Sequence, residues 1–73
     1  MIAKFEYQTR EEVLEKVQLT QRQINPSAGR RVIEVTENIV YPRAKQSTVV
    51  SCPGVVFTID NVGHCRYNLT IRG

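Results

Sequence analysis

The distribution of valine is the feature that most constrains what this chain can fold into. Eight of the ten valines lie between Val32 and Val62, in short apolar segments separated by turn-forming residues. Valine is restricted at χ1 and packs well on a pleated surface, so this density favours strands over helices. Most of the 73 residues are therefore predicted to build a sheet.

The first 24 residues carry two different periodicities. Residues 2–7 alternate in polarity, which predicts a strand with one buried face. Thr9 is followed three residues later by Glu12, a capping-box pattern that predicts a helix over about residues 10–24. The apolar stripe of that helix is predicted to comprise Val13, Val17, Thr20 and Ile24.

The remaining predicted strands follow residue 30. Residues 31–41 form either one long strand with a bulge or two short strands. Residues 47–52 and 55–60 form two more, separated by Pro53-Gly54, a pair favoured at the centre of a type II turn. Residues 65–72 alternate most regularly. Their inward set is predicted to be Cys65, Tyr67, Leu69 and Ile71.

The fold class predicted from this order is α+β, with residues 1–73 as a single small domain. One amphipathic helix packs on a mostly antiparallel sheet of four or five strands, in the order β-α-β-β-β, with or without one further strand. Connections after residue 30 are too short for helical crossovers, so these strands form an antiparallel meander.

The predicted sheet carries more apolar side chains than one helix covers. Val32, Val40 and Val56 fall on the face opposite the core, and Leu19 falls on the polar side of the helix. One interpretation is that strand twist and loops bury these residues, or that they are ordinary exposed valines. The other is a surface for a second chain, either a homodimer or another protein partner.

No catalytic or metal-binding set emerges from the sequence. Cys52 and Cys65 are predicted to lie too far apart along the hairpin for a disulfide, so both are expected to be reduced thiols. His64 precedes Cys65, but adjacent strand residues point to opposite faces, so the pair does not suit nucleophilic catalysis. We therefore expect no enzyme activity, no metal site and no cofactor.

Charge offers an alternative function. The net charge is +3, and all of the excess lies after residue 29. The candidate basic face comprises Arg30, Arg31, Arg66, Asn68 and Arg72. Such a face suits nucleic-acid binding, or simply keeps the protein soluble. All five aromatic residues are predicted to lie in the core, which argues against a stacking platform for single strands.

No apolar run approaches the ~18 residues that a membrane helix needs, and the N-terminal residues do not resemble a signal peptide. A cytoplasmic location without membrane association is therefore expected. The leading functional prediction is a small non-catalytic protein-interaction module, such as an adaptor or inhibitor of a larger assembly. The alternative is a nucleic-acid-binding protein that uses the basic sheet face.

Overall fold

The computed structural model describes residues 2–24, 26 and 39–73. The described elements, in chain order, are β1 (Ile2–Tyr7), α1 (Arg10–Ile24), β2 (Ser47–Cys52), β3 (Val55–Gly63) and β4 (Arg66–Arg72). The helix packs on a four-stranded antiparallel sheet. This arrangement confirms the predicted α+β class.

Part of the strand prediction over 31–41 is wrong, and the rest lies outside the described residues. Ile39 and Tyr41 pack against the core from a loop and belong to no strand. The loop is fixed to the sheet by Asn61 Nδ2, which donates a hydrogen bond of 3.1 Å to the carbonyl of Pro42. Proline has no N–H to offer a strand ladder, so strand pairing is disfavoured at this position.

The sheet order is β1-β4-β3-β2, so the first strand of the chain pairs with the last. β2, β3 and β4 form the predicted antiparallel meander. Phe5 lies opposite Leu69, and Leu69 lies opposite Ile59 on its other side. These residues share the face that α1 covers, since directly opposed residues of antiparallel strands point the same way.

Thr9 caps the helix as its sequence predicts. The Thr9 hydroxyl accepts a hydrogen bond of 3.2 Å from the Glu12 N–H and donates one of 3.1 Å to Glu12 Oε1. The capping box is thus closed through the threonine hydroxyl rather than through its backbone N–H. Two negative side chains, Glu11 and Glu12, also suit the positive end of the helix dipole.

The buried face of α1 differs from the predicted stripe at its C-terminal end. Val13 and Val17 are fully buried, as predicted, but the third buried residue is Gln21, which is 4% exposed. The sequence pattern predicts Ile24 to be inward, but it is 46% exposed. The contact follows the i, i+4 ridge of the helix, which rotates Gln21 toward the sheet and Ile24 away from it.

The core lies between α1 and one face of the sheet. Its buried apolar residues are Val13, Val17, Val55, Phe57, Ile59, Tyr67 and Leu69. The other sheet face is called the open face below. Its side chains come from the alternate strand positions, such as Lys4, Thr58 and Thr70.

The two hairpin turns show how the strands end. Gly54 has φ of 81°, as the third residue of a type II turn requires, so the predicted turn is confirmed. β3 extends beyond its predicted end to Gly63, with a bulge at Asn61–Gly63. His64 and Cys65 therefore form the turn, both with positive φ. The prediction that Cys65 points into the core is wrong, because the longer strand moves it into the exposed turn.

Among the described residues, no helix is both long and apolar enough to cross a membrane.

Candidate functional site

The three described residues of the predicted apolar interaction surface do not meet in one place. Leu19 projects from α1 on the helix side of the sheet and is 46% exposed. Val56 is half-buried on the open face, opposite Arg72. Val40 lies in the loop before β2 and is 74% exposed, while Val32 lies outside the described residues.

Three residues of the predicted basic face share the open face of β4. Arg66 and Arg72 are exposed at the two ends of the strand, with the half-buried Asn68 between them. At about 3.3 Å per residue, the two arginines lie roughly 20 Å apart. Arg30 and Arg31 lie outside the described residues.

Acidic side chains interrupt that basic face. Glu6 and Asp60 lie opposite Asn68, one on each neighbouring strand. The Ser47 hydroxyl donates a hydrogen bond to Asp60 Oδ1. An open depression of about 320 Å³ is lined there by Lys4, Phe5, Glu6, Asp60, Asn68 and Thr70. The open face is thus mixed in charge rather than uniformly basic.

A second depression lies on the helix side, beside the outer edge of β1. It measures about 160 Å³ and is lined by Tyr7, Glu12, Glu15, Lys16 and Leu19. Phe5 borders it, because Lys16 Nζ lies 4.5 Å from the centre of the Phe5 ring. The Phe5 and Tyr7 ring centres are 6.3 Å apart with an interplanar angle of 20°. We call these six residues the β1–α1 groove.

The groove combines apolar area with charge. Phe5 and Tyr7 are half-buried, and burial together with the nearby Glu12 and Glu15 raises the pKa of Tyr7. The ammonium of Lys16 over the Phe5 ring is a cation–π contact, which orients the lysine stem along the aromatic surface.

The outer edge of β1 adjoins this groove. Within the described part of the chain, β1 pairs only with β4 and forms the end of the sheet. An edge strand presents a row of unpaired N–H and C=O groups. The strand edge and the β1–α1 groove therefore form one surface that offers both backbone hydrogen bonds and apolar contacts.

The cysteines and the histidine occupy separate environments. Both thiols are free, Cys65 exposed in the β3–β4 turn and Cys52 half-buried at the opposite end of β3. Burial raises the pKa of Cys52, and the Gln21 amide opposes that shift because it stabilises a thiolate. Among residues 2–24, 26 and 39–73, no three His, Cys, Asp or Glu side chains are arranged to hold a metal ion.

Comparison with known proteins found no matching family model, curated protein or solved structure. Function is therefore inferred from the chain's own surfaces.

The sequence did not indicate that β1 and the residues of the β1–α1 groove form one surface. The alternating Lys4 and Glu6 were visible in the sequence, as was the polar placement of Leu19. What the sequence did not show is that β1 ends the described part of the sheet and that Leu19 lies beside it. That placement depends on β1 pairing with the last strand.

Proposed function

We propose that this chain is a non-catalytic protein-interaction module that binds another protein along the outer edge of β1 and the β1–α1 groove. The observation that carries this proposal is the continuity of an edge strand with the exposed Leu19 and the half-buried Phe5 and Tyr7. An adaptor or inhibitor of a larger assembly would bind through a surface of this kind.

Strand addition explains why such a surface suits a protein partner. An extended segment that pairs with β1 gains main-chain hydrogen bonds, while its alternate side chains meet the groove and supply specificity. Apolar side chains that enter the groove also cover Leu19, which is 46% exposed. Backbone pairing and apolar burial thus act together on one partner.

The other edge of the described sheet, β2, is less suited to this role. α1 packs on β1, β3 and β4, so a partner at β1 meets both a strand and a helix. β2 has the sequence STVVSC, without a charged residue. β2 has backbone groups that a partner strand can pair with, but it has no charged side chain that would select one register of that strand.

The proposed function also includes a location, the cytoplasm. Both cysteines are free, and free thiols are the rule in reducing compartments. This supports a module that acts in the cytoplasm.

Photo-crosslinking tests the proposed surface. A photoreactive amino acid at Leu19 is expected to yield covalent protein adducts in cells that express the chain, and excess unlabelled chain should suppress them. The matched control is the same group at Lys45, an exposed position in the loop before β2. Leu19 adducts no more abundant than those at Lys45 would overturn the proposal.

Nucleic-acid binding is the second candidate, supported by Lys4, Arg66 and Arg72 on one face. Glu6 and Asp60 on that same face weaken the attraction for phosphates. The aromatic residues Phe5, Tyr7, Phe57 and Tyr67 lie on the helix side, and Tyr41 packs against the core. We therefore rank a protein partner first.

A further inference from the structure

The exposed side of β1 carries opposite charges two residues apart. Lys4 and Glu6 are both exposed and both point to the open face. The alternate residues of β1, which are Ala3, Phe5 and Tyr7, lie on the helix side. A strand with this pattern is complementary to itself when it is reversed.

We propose that a second copy of this chain pairs with β1 along its outer edge, antiparallel, with Phe5 at the two-fold axis. The two sheets then form one continuous sheet, to which each copy contributes its four described strands. This proposal rests on the proposed function, because it names the partner that the same surface binds. The contact is isologous, so each residue pair away from the axis occurs twice.

Charge and strand length together select the register. A two-fold axis perpendicular to the sheet pairs residues that point to the same face, so the axis must pass through a residue rather than between two. For a six-residue strand, only axes at Lys4 or Phe5 allow five residues to pair. The Lys4 axis places two lysines opposite each other, which is destabilising. The Phe5 axis places Lys4 of each copy opposite Glu6 of the other.

The helix side of the interface is also complementary in this register. Phe5 of one copy lies opposite Phe5 of the other, and the large Tyr7 lies opposite the small Ala3. The half-buried Phe5 ring is already flanked by the Lys16 ammonium at 4.5 Å. Pairing of the two strands covers the remaining exposed part of both rings.

In this dimer the α1 helices of the two copies come close enough for their side chains to contact each other. α1 packs on β1, β4 and β3, so it is centred over β4. With neighbouring strands about 4.8 Å apart, the two helix axes lie roughly 14 Å apart across the two-fold axis. A helix with its side chains is about 10 Å wide, so Leu19 and Lys16 of the two copies span the remaining gap.

Charge reversal tests the register directly. Lys4→Glu places two glutamates opposite each other at both charge pairs, and Glu6→Lys places two lysines there. Each single variant is expected to raise the dissociation constant of the dimer at least about tenfold, measured by sedimentation equilibrium. The double variant Lys4→Glu/Glu6→Lys restores opposite charges and is expected to dimerise like the unmodified chain.

Mixing the two single variants provides the sharper test. The Lys4→Glu chains have two negative residues on this edge, and the Glu6→Lys chains have two positive ones. Heterodimers should therefore form at concentrations where each variant alone is monomeric. Lys45→Glu is the matched control for the first variant, since it changes the net charge of the chain equally at an exposed position outside the interface. Circular dichroism checks that each variant is folded.

The outcomes separate this proposal from the proposed function. Equal dimerisation of both single variants and the unmodified chain would overturn the register. A chain that stays monomeric but forms Leu19 adducts with a different protein would overturn the homodimer and leave the interaction module standing. A dimer that is weakened by single reversal and recovered in the mixture supports the proposal.

Discussion

Arg10 Nε donates a hydrogen bond of 3.3 Å to the hydroxyl of Tyr67, which joins the first residue of α1 to the start of β4. The Arg10 guanidinium also lies 5.4 Å from the centre of the Tyr41 ring. One cation thus contacts two aromatic residues from separate parts of the chain. The hydrogen bond to Tyr67 is the main reason that the pKa of Arg10 is raised.

Removal of the Tyr67 hydroxyl is the first test of this link. Tyr67 is 8% exposed, and Tyr67→Phe is expected to lower the free energy of unfolding by about 1 kcal/mol, because one hydrogen bond is lost. Arg10→Ala should also destabilise, and the two losses should not add, since both remove the same bond. Urea unfolding of the double-mutant cycle measures the coupling; strictly additive losses would contradict the link.

Gln21 offers a stabilising substitution. It is 4% exposed, and its Nε2 makes no hydrogen bond of normal geometry among the described residues, because its interaction with the Cys52 thiol is weaker than that. Gln21→Met keeps the length of the side chain and removes this poorly paired amide, so it is expected to stabilise the fold by about 1 kcal/mol. Gln23→Met on the exposed face of α1 is the control and should change stability by less than about 0.5 kcal/mol. A stability loss in the Gln21 variant would contradict the prediction.

Alkaline pH is expected to destabilise the protein. Burial raises the pKa of Cys52 above 9.0 and those of Tyr7 and Tyr41 above 10.0. These groups are neutral in the fold, so their contribution is complete below the unfolded-state pKa and is lost as pH rises through the folded-state pKa. Stability should fall from about pH 9 upward.

Cys52→Ala isolates one part of that pH dependence. The variant removes the thiol, so its stability should fall less steeply between about pH 9 and 10 than that of the unmodified chain. Thermal unfolding across this pH range provides the measurement. Identical pH profiles for the two proteins would show that Cys52 is not involved.

A substitution in the β3–β4 turn is also expected to stabilise the protein. His64 and Cys65 have φ of 54° and 56°, a conformation that costs residues other than glycine roughly 1–2 kcal/mol. Asn-Gly is the preferred pair for a two-residue turn with positive φ at both positions. Replacing His64-Cys65 by Asn-Gly is therefore expected to raise stability by about 1 kcal/mol, or the melting temperature by about 4–8 °C.

In the β2–β3 turn, Gly54→Ala is expected to destabilise the protein. Gly54 has φ of 81°, and an added Cβ would lie 3.5 Å from Ile24 Cγ2, an ordinary contact distance. Space is therefore sufficient, and the cost is backbone strain of about 1–2 kcal/mol. An unchanged melting temperature would show that the turn adopts another conformation.

Salt dependence tests the weaker functional alternative. Because Glu6 and Asp60 lie among the basic residues of the open face, we expect no tight binding of DNA or RNA at physiological salt. Fluorescence anisotropy over a salt series measures this. Tight binding that weakens steeply with salt, and that is lost in Arg66→Glu/Arg72→Glu, would instead favour nucleic acid as the ligand.

The sequence alone predicted the local elements well. The Thr9 cap, the Pro53-Gly54 turn and the polarity alternation of β1 each depend on neighbouring residues, and these features are confirmed by the structure. Local sequence was less informative at the end of β3. There the bulge at Asn61–Gly63 extends the strand and changes the position of Cys65.

Tertiary structure decided what no local pattern specifies. Pairing between the first and last strands makes β1 an edge of the described sheet and brings it beside Leu19 of α1. The packing of the helix on the sheet buries Gln21 and exposes Ile24. Composition and periodicity determine which residues favour a strand or a helix, because these are short-range preferences. Strand order and helix placement depend on contacts between distant residues, and they alone assemble the proposed interface.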